Sequence, residues 1–212
     1  MTNEWTDELE QMRETIAKLA EERERAVSAI VKAEGMLELL ETPAQKLQRA
    51  RDAALELVKI LQHNPGWILV IEGREYLTFP AWSTLGALLG LWTIITEVKE
   101  LKDENGKVYG FEAHCQVLNR AEKVVSTAVA RADRNEMIAE YEYHVDPKSG
   151  KRVRGRFLGL KKRFDEKVSD HAILALAQTR ARRKALQACL NWVVGLTKYE
   201  TTPAEEELEL TP

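Results

Sequence analysis

The sequence predicts an α+β fold: a helical arm, then an antiparallel β-hairpin and three-strand meander, then a long C-terminal helix. Three observations predict it. Apolar residues recur at heptad spacing from Trp5 to Leu40; the periodicity turns from helical to extended at Asn64-Pro65-Gly66; and a helical period returns between Ser169 and Gly195 with alanines gathered on one side.

The heptad stripe comprises Trp5, Leu9, Met12, Ile16, Leu19, Arg23, Ala26, Ile30, Ala33, Leu37 and Leu40, weakened in its middle by Arg23 and Ala26. Steps of four and three place these on one seam, with Glu, Lys and Arg on the solvated back, as in a coiled coil or a helical hairpin. Thr42-Pro43 re-caps the chain, and Leu47, Ala50, Ala54, Leu57, Val58 and Leu61 continue a second helical pattern. The run from Trp67 to Ile71 reads as a strand, Glu72-Gly73 as a hairpin turn and Arg74 to Phe79 as the return strand. Pro80 fits the first position of a short helix over residues 81–89, which Gly90 can end in the left-handed conformation. Extended segments at 91–101, 108–118 and 123–132, joined by short polar turns, predict the meander. Residues 133–168 read as a long excursion with interleaved aromatic and basic residues, and Ser169 or Asp170 caps the closing helix. The expected organisation is an arm over 1–62, a core over 64–198 and an acidic tail over 199–212.

The chain has 212 residues and a net charge of −3, which conceals a strong segregation. Residues 148–198 hold 14 Lys or Arg against Asp165, Glu166 and Asp170, a local balance of +11, while the last 14 residues carry five glutamates and no base. A concentrated basic surface attracts polyanions whatever the overall charge. No apolar run reaches the roughly 18 to 20 residues of a membrane span, and the acidic start is unlike a secretory signal, so a soluble cytoplasmic protein without membrane contact is expected. Cys115 and Cys189, 74 positions apart in apolar surroundings, suit reduced core thiols.

Two basic elements point to nucleic acid. Along the closing helix, at about 100° per residue, Leu174, Ala177, Ala181, Ala185, Ala188 and Trp192 share a side expected to be buried. Arg180, Arg183 and Lys184, with Gln187 and Asn191, form a stripe about a third of a turn away. Before it, Lys151, Arg152, Arg154, Arg156, Lys161, Lys162 and Arg163 crowd one segment together with Lys148 and Lys167. On an extended strand Arg152, Arg154 and Arg156 share a face, and Phe157 or Tyr143 supplies a stacking surface for an unpaired base. Single strands are favoured over duplex because no helix-turn-helix or zinc-finger pattern is present to enter a major groove.

The order of these elements resembles the phage and bacterial single-strand annealing proteins of the Erf and RecT type, whose fold is shared with the eukaryotic Rad-family annealing protein. The resemblance rests on the hairpin Ile71-Glu72-Gly73-Arg74-Glu75-Tyr76, the helix Pro80-Ala81-Trp82-Ser83-Thr84-Leu85-Gly86, the meander, and above all Ala177-Gln178-Thr179-Arg180-Ala181 followed by Lys184-Ala185-Leu186. The tail from Tyr199 to Glu206 is similar too, so that residues 64–206 are covered; the arm is longer and more heptad-like than the family pattern. The resemblance implies a β-β-β-α core whose protomers join into rings or filaments, and a basic groove holding single-stranded DNA by its backbone with bases presented for pairing. It implies no bond making or breaking, no cofactor, a place in phage homologous recombination within a bacterial host cell, and a phage exonuclease or single-strand-binding protein as possible helper. Arg180, Arg183 and Lys184 then floor the groove, and Lys151 to Arg163 form its wall or clamp.

Other chemistry has thinner support. There is no Gly-x-x-x-x-Gly-Lys-Ser/Thr and no Gly-x-Gly-x-x-Gly, so no phosphate cradle for nucleotide hydrolysis. His63, His114, His144 and His171 lack metal-ligand spacing with each other or with the cysteines, and Glu112, Asp133 and Asp146 with Lys148 lack the spacing of a nuclease site. The alternative of another class is a coiled-coil scaffold that recruits a recombination or replication partner through the arm.

Overall fold

The computed structural model describes residues 3–39, 41–165 and 167–200, and within the first helix the side chains of residues 10–30 and 33. The seam side chains of Trp5, Leu9, Leu37 and Leu40, and the acidic tail after Glu200, lie outside what is described. The chain divides into two units, Met1–Glu41 with Arg120–Glu122, and Thr42–Asn119 with Lys123–Pro212. In the first, α1 (Asn3–Leu39) is one continuous helix of 37 residues. Its seam residues Met12, Ile16, Leu19 and Ile30 are exposed, and Glu21 pairs with Arg25 one turn on at 2.6 Å.

The second unit is the α+β core. Its first helix, α2 (Pro43–His63), begins with a capping box: the Thr42 hydroxyl accepts from the Gln45 backbone N–H, and the Gln45 side chain accepts from the Thr42 N–H. Ala50, Ala53, Ala54, Leu57 and Leu61 are buried in one cluster with Trp82, Leu85 and Leu190. Burying Leu57 completely is worth about 1.5–3 kcal/mol and anchors α2 in the core. Of the arm expected over 1–62, residues 43–63 form this helix of the second compact unit.

β1 (Ile68–Ile71) and β2 (Arg74–Leu77) form the expected hairpin, with Glu72 and Gly73 at φ 52° and 81° in its two-residue turn. α3 (Phe79–Leu88) follows, and Gly90 ends that region at φ 71°. The meander is also as expected: β3 (Trp92–Lys102), β4 (Val108–Leu118) and β5 (Val124–Asp133) pair antiparallel in the order β3-β4-β5.

The segment expected as an irregular excursion is instead a second hairpin, β6 (Met137–Val145) and β7 (Arg152–Lys162). Asp146 closes its turn, accepting from the Lys148 N–H at 3.0 Å and from the Ser149 hydroxyl. β7 joins β1 in parallel at Leu69–Arg152 and Val70–Val153, so the second sheet runs β2-β1-β7-β6. The hairpin escapes apolar/polar pattern reading because neither face supplies the main core: Met137, Val145, Phe157, Leu158 and Leu160 are all exposed.

The closing helix, α4 (Asp170–Val194), is capped by Ser169, whose hydroxyl accepts from the Ala172 N–H, and lies across β4 and β5. It ends at Val194 as expected, with Gly195 at its C-cap in a right-handed conformation, φ −60°. Its buried side changes along its length. Ala177, Ala181 and Ala185 share one side and are buried with Ala113, Cys115 and Ala132. Arg183, Leu186, Gln187, Leu190, Val193 and Val194 fall around the opposite side at about 100° per residue, and they too are buried. There α4 meets α3 so closely that a Cβ on Gly86 would stand 3.0 Å from Leu186 and 4.0 Å from Leu190. The single apolar face expected through Ala188 and Trp192 is thus corrected: Ala188 is exposed and Trp192 is 53% exposed, because the second half of the helix is covered from the other side.

Candidate nucleic-acid interface

The β6–β7 hairpin brings together the aromatic and cationic residues singled out in the sequence. Tyr143 stands opposite Arg154, and Tyr141 opposite Phe157, so β7 carries one extra residue between these pairs. This bulge breaks the expected alternation: Arg152, Arg154 and Phe157 share the face of Tyr141 and Tyr143, while Arg156 leaves that row. On the shared face the Arg152 guanidinium lies 4.0 Å from the Tyr143 ring centroid and that of Arg154 lies 4.5 Å from the Tyr141 ring. The Tyr141 and Phe157 rings pack at 5.4 Å between centroids, tilted by 58°. Tyr143 and Phe157 remain 36% and 46% exposed. The guanidinium groups thus cover one face of each tyrosine ring, and the exposed parts of Tyr143 and Phe157 are the π surface left for stacking an unpaired base.

Many of the other cations meet acids that the linear charge count set apart. Lys151 pairs with Glu75 of β2, Arg154 with Glu72 of the first hairpin turn at 3.1 Å, and Lys161 with Glu140 of β6. Arg163 lies 3.2 Å from Glu136, which also binds Arg180 through both carboxylate oxygens. Arg180 further donates to the Arg131 carbonyl at 2.9 Å. Glu136 thus ties the end of β7 to α4, and Arg134 adds a second tie through the Val168 carbonyl and Asp170. The +11 of the sequence segment is partly neutralised in space by acids from residues 72–140. Among the ten expected contact residues, Arg152, Arg156, Lys161, Lys162 and Lys184 are exposed, Lys161 while paired with Glu140, whereas Arg183 is only 7% exposed. The structure does not assemble Arg180, Arg183 and Lys184 into one open stripe, since Arg180 is held by Glu136 and Arg183 lies on the buried side of α4.

Glu75 is the polar anchor at the other end of the hairpin. Burial works against its ionisation, but Lys151 and Lys198 outweigh burial and hold its carboxyl below the usual 4.5. A carboxylate depressed in the folded state stabilises the fold above its unfolded value, and this contribution disappears as pH falls through the folded value. Glu75→Gln is expected to flatten the loss of stability below about pH 4.5 while leaving the slope near neutrality unchanged. Urea midpoints measured from pH 3 to 7 check this, and an acid limb as steep as that of the parent protein contradicts it.

The carboxylates weighed as a nuclease site have separate structural partners. Glu112 accepts from Arg131 at 2.6 Å and meets His114 at 2.9 Å, two contacts that hold its carboxyl below the usual range. Asp133 accepts from the Asn135 N–H, and Asp146 closes the β6–β7 turn. Among the described residues no group of three or more His, Cys, Asp or Glu is placed to hold a metal ion. Both cysteines are free thiols; burial raises Cys115 and pushes Cys189 up to about 11. No described helix is long and apolar enough to cross a membrane.

The acids Glu72, Glu75, Glu136 and Glu140 are the participants that sequence reasoning missed. The one signal available for the last of them was the alternation Glu140-Tyr141-Glu142-Tyr143-His144, a strand period with acids on one face and aromatic rings on the other. Set beside known protein families and curated proteins, the chain matches none of them.

Proposed function

We propose that this protein binds single-stranded DNA along the β6–β7 hairpin and promotes the pairing of complementary strands without ATP or a metal ion. The observation that carries this reading is the row in which the exposed Arg152 stacks on Tyr143, the shielded Arg154 on the half-buried Tyr141, and Tyr141 against the exposed Phe157. Rings of this kind accept bases of any identity, and Arg152, Arg156 and Lys162 on the same ribbon can meet the backbone phosphates. The resemblance to the single-strand annealing proteins agrees with the absence of a nucleotide cradle from the sequence, and adds assembly into rings or filaments to the proposal.

The test is the salt dependence of binding to a labelled oligonucleotide, followed by fluorescence anisotropy. Replacing Arg152, Arg156 and Lys162 together with alanine is expected to flatten the log–log slope by roughly 2, at about 0.7 per lost phosphate contact on a single strand. Annealing of complementary oligonucleotides should persist in chelator and without ATP. An unchanged slope in the folded triple variant removes the ribbon from the interface, and a need for ATP or cleavage of the strand overturns the reading. The second reading, a scaffold that recruits a recombination or replication partner, is favoured by the exposed Met12, Ile16 and Leu19 of α1. It predicts no length-dependent binding to oligonucleotides at all.

A further inference from the structure

We propose that α1 pairs with α1 of a second copy of this chain as an antiparallel coiled coil. The inference is independent of the nucleic-acid reading. α1 is unbroken over 37 residues, about 55 Å at 1.5 Å per residue. Along it Met12, Ile16, Leu19 and Ile30 are 56–66% exposed and recur at steps that keep them on one seam. Such a stripe of exposed apolar side chains on a single helix marks an interaction surface.

The seam's own charge and shape select its occupant. When two copies of Asn3–Leu39 overlap fully in opposite directions, residue 3 faces 39, and by the same count Met12 faces Ile30, Ile16 faces Ala26 and Leu19 faces Arg23. Every described seam position then meets a seam position, and the large Ile16 meets the small Ala26. A parallel pairing in register sets Arg23 against Arg23 at the seam, two like charges face to face, whereas the antiparallel pairing sets each against Leu19. The antiparallel pairing lays the aliphatic stem of Arg23 on Leu19 and brings its guanidinium beside Glu22 of the second copy, so the two arginines and two glutamates around the dyad sum to zero charge. The residue that weakens the seam in a parallel zipper thereby sets direction in an antiparallel one.

Two single-cysteine variants of the full chain separate the directions. Ala20 flanks the seam on the side where antiparallel copies bring equivalent positions together near the dyad, whereas Met12 faces its own equivalent only in a parallel pair. Cys115 is 1% exposed, and both variants are made in a Cys189→Ala background so that no native thiol competes. Mild oxidation should convert Ala20→Cys to a covalent dimer and leave Met12→Cys uncrosslinked, and light scattering of the parent protein should give at least twice the mass of one chain. Ile16→Glu should lower that mass while circular dichroism reports a folded core. A monomeric parent protein, a failure of Ala20→Cys to cross-link, or cross-linking through Met12→Cys overturns the proposal.

Discussion

Replacing Glu136 with alanine is expected to lower stability by about 2–4 kcal/mol. Removing one partner of a buried ion pair leaves the other charge desolvated and uncompensated, which costs about 3–5 kcal/mol in a fully buried site. Here Glu136 and Arg180 retain 16% and 14% side-chain exposure and Arg163 retains 26%, which lowers the cost below that of a fully buried pair, but two guanidinium groups lose their counter-charge at once. Glu140→Ala is the control. Its pair with Lys161 is 37% and 51% exposed, and an exposed pair is worth about 0–1 kcal/mol. Urea unfolding of the two variants, compared with the parent protein at neutral pH, reads the difference directly; equal midpoints for the two variants contradict the clamp.

The second large effect concerns binding. Tyr143→Ala and Phe157→Ala are each expected to weaken single-stranded DNA by about 1–3 kcal/mol, the usual worth of one stacked base, which is roughly 5- to 150-fold in Kd. Both rings are exposed, so unfolding midpoints should move little. Tyr143→Phe keeps the π face and should keep the affinity, which separates stacking from any role of the hydroxyl. Unlike loss of the cations, loss of a ring should leave the salt slope unchanged, because no counter-ion is released by a stacking contact. Anisotropy at two ionic strengths tests both statements; a lowered affinity that vanishes at high salt speaks against stacking.

Local signals were legible wherever chemistry within a few residues decides the outcome. The Thr42 capping box, the Glu72-Gly73 turn, the Gly90 stop and the Ser169 cap are each written in neighbouring residues, and the meander follows from short polar connections. What was illegible depends on contacts distant in sequence. The two buried sides of α4 arise because β4 and β5 cover its first half and α3 its second, a change that no single helical face can encode. The β6–β7 hairpin was hidden because its rows are aromatic and charged, without the apolar face by which a strand is usually recognised. The bulge that turns Arg156 away from Arg152 and Arg154 is visible only in the strand register. For the same reason a charge count along the chain overstated the open basic surface: Glu75 lies 76 residues from Lys151, and Glu136 lies 44 from Arg180.

The hairpin is also fastened at both ends, by Glu75 and the β1 pairing near its turn and by Glu136 where its strands close. It is a beam fixed at two supports, with the exposed rings of Tyr143 and Phe157 along the span. A load applied to the span, such as a strand drawn along it, divides between the supports and does not peel the hairpin from a free tip. The supports are half-buried and feel dissolved salt less than the exposed Arg152, Arg156 and Lys162 do. If the hairpin holds a strand as proposed, rising ionic strength should release it first and slacken the beam only afterwards, so that a protein emptied by salt keeps the shape it needs to be loaded again.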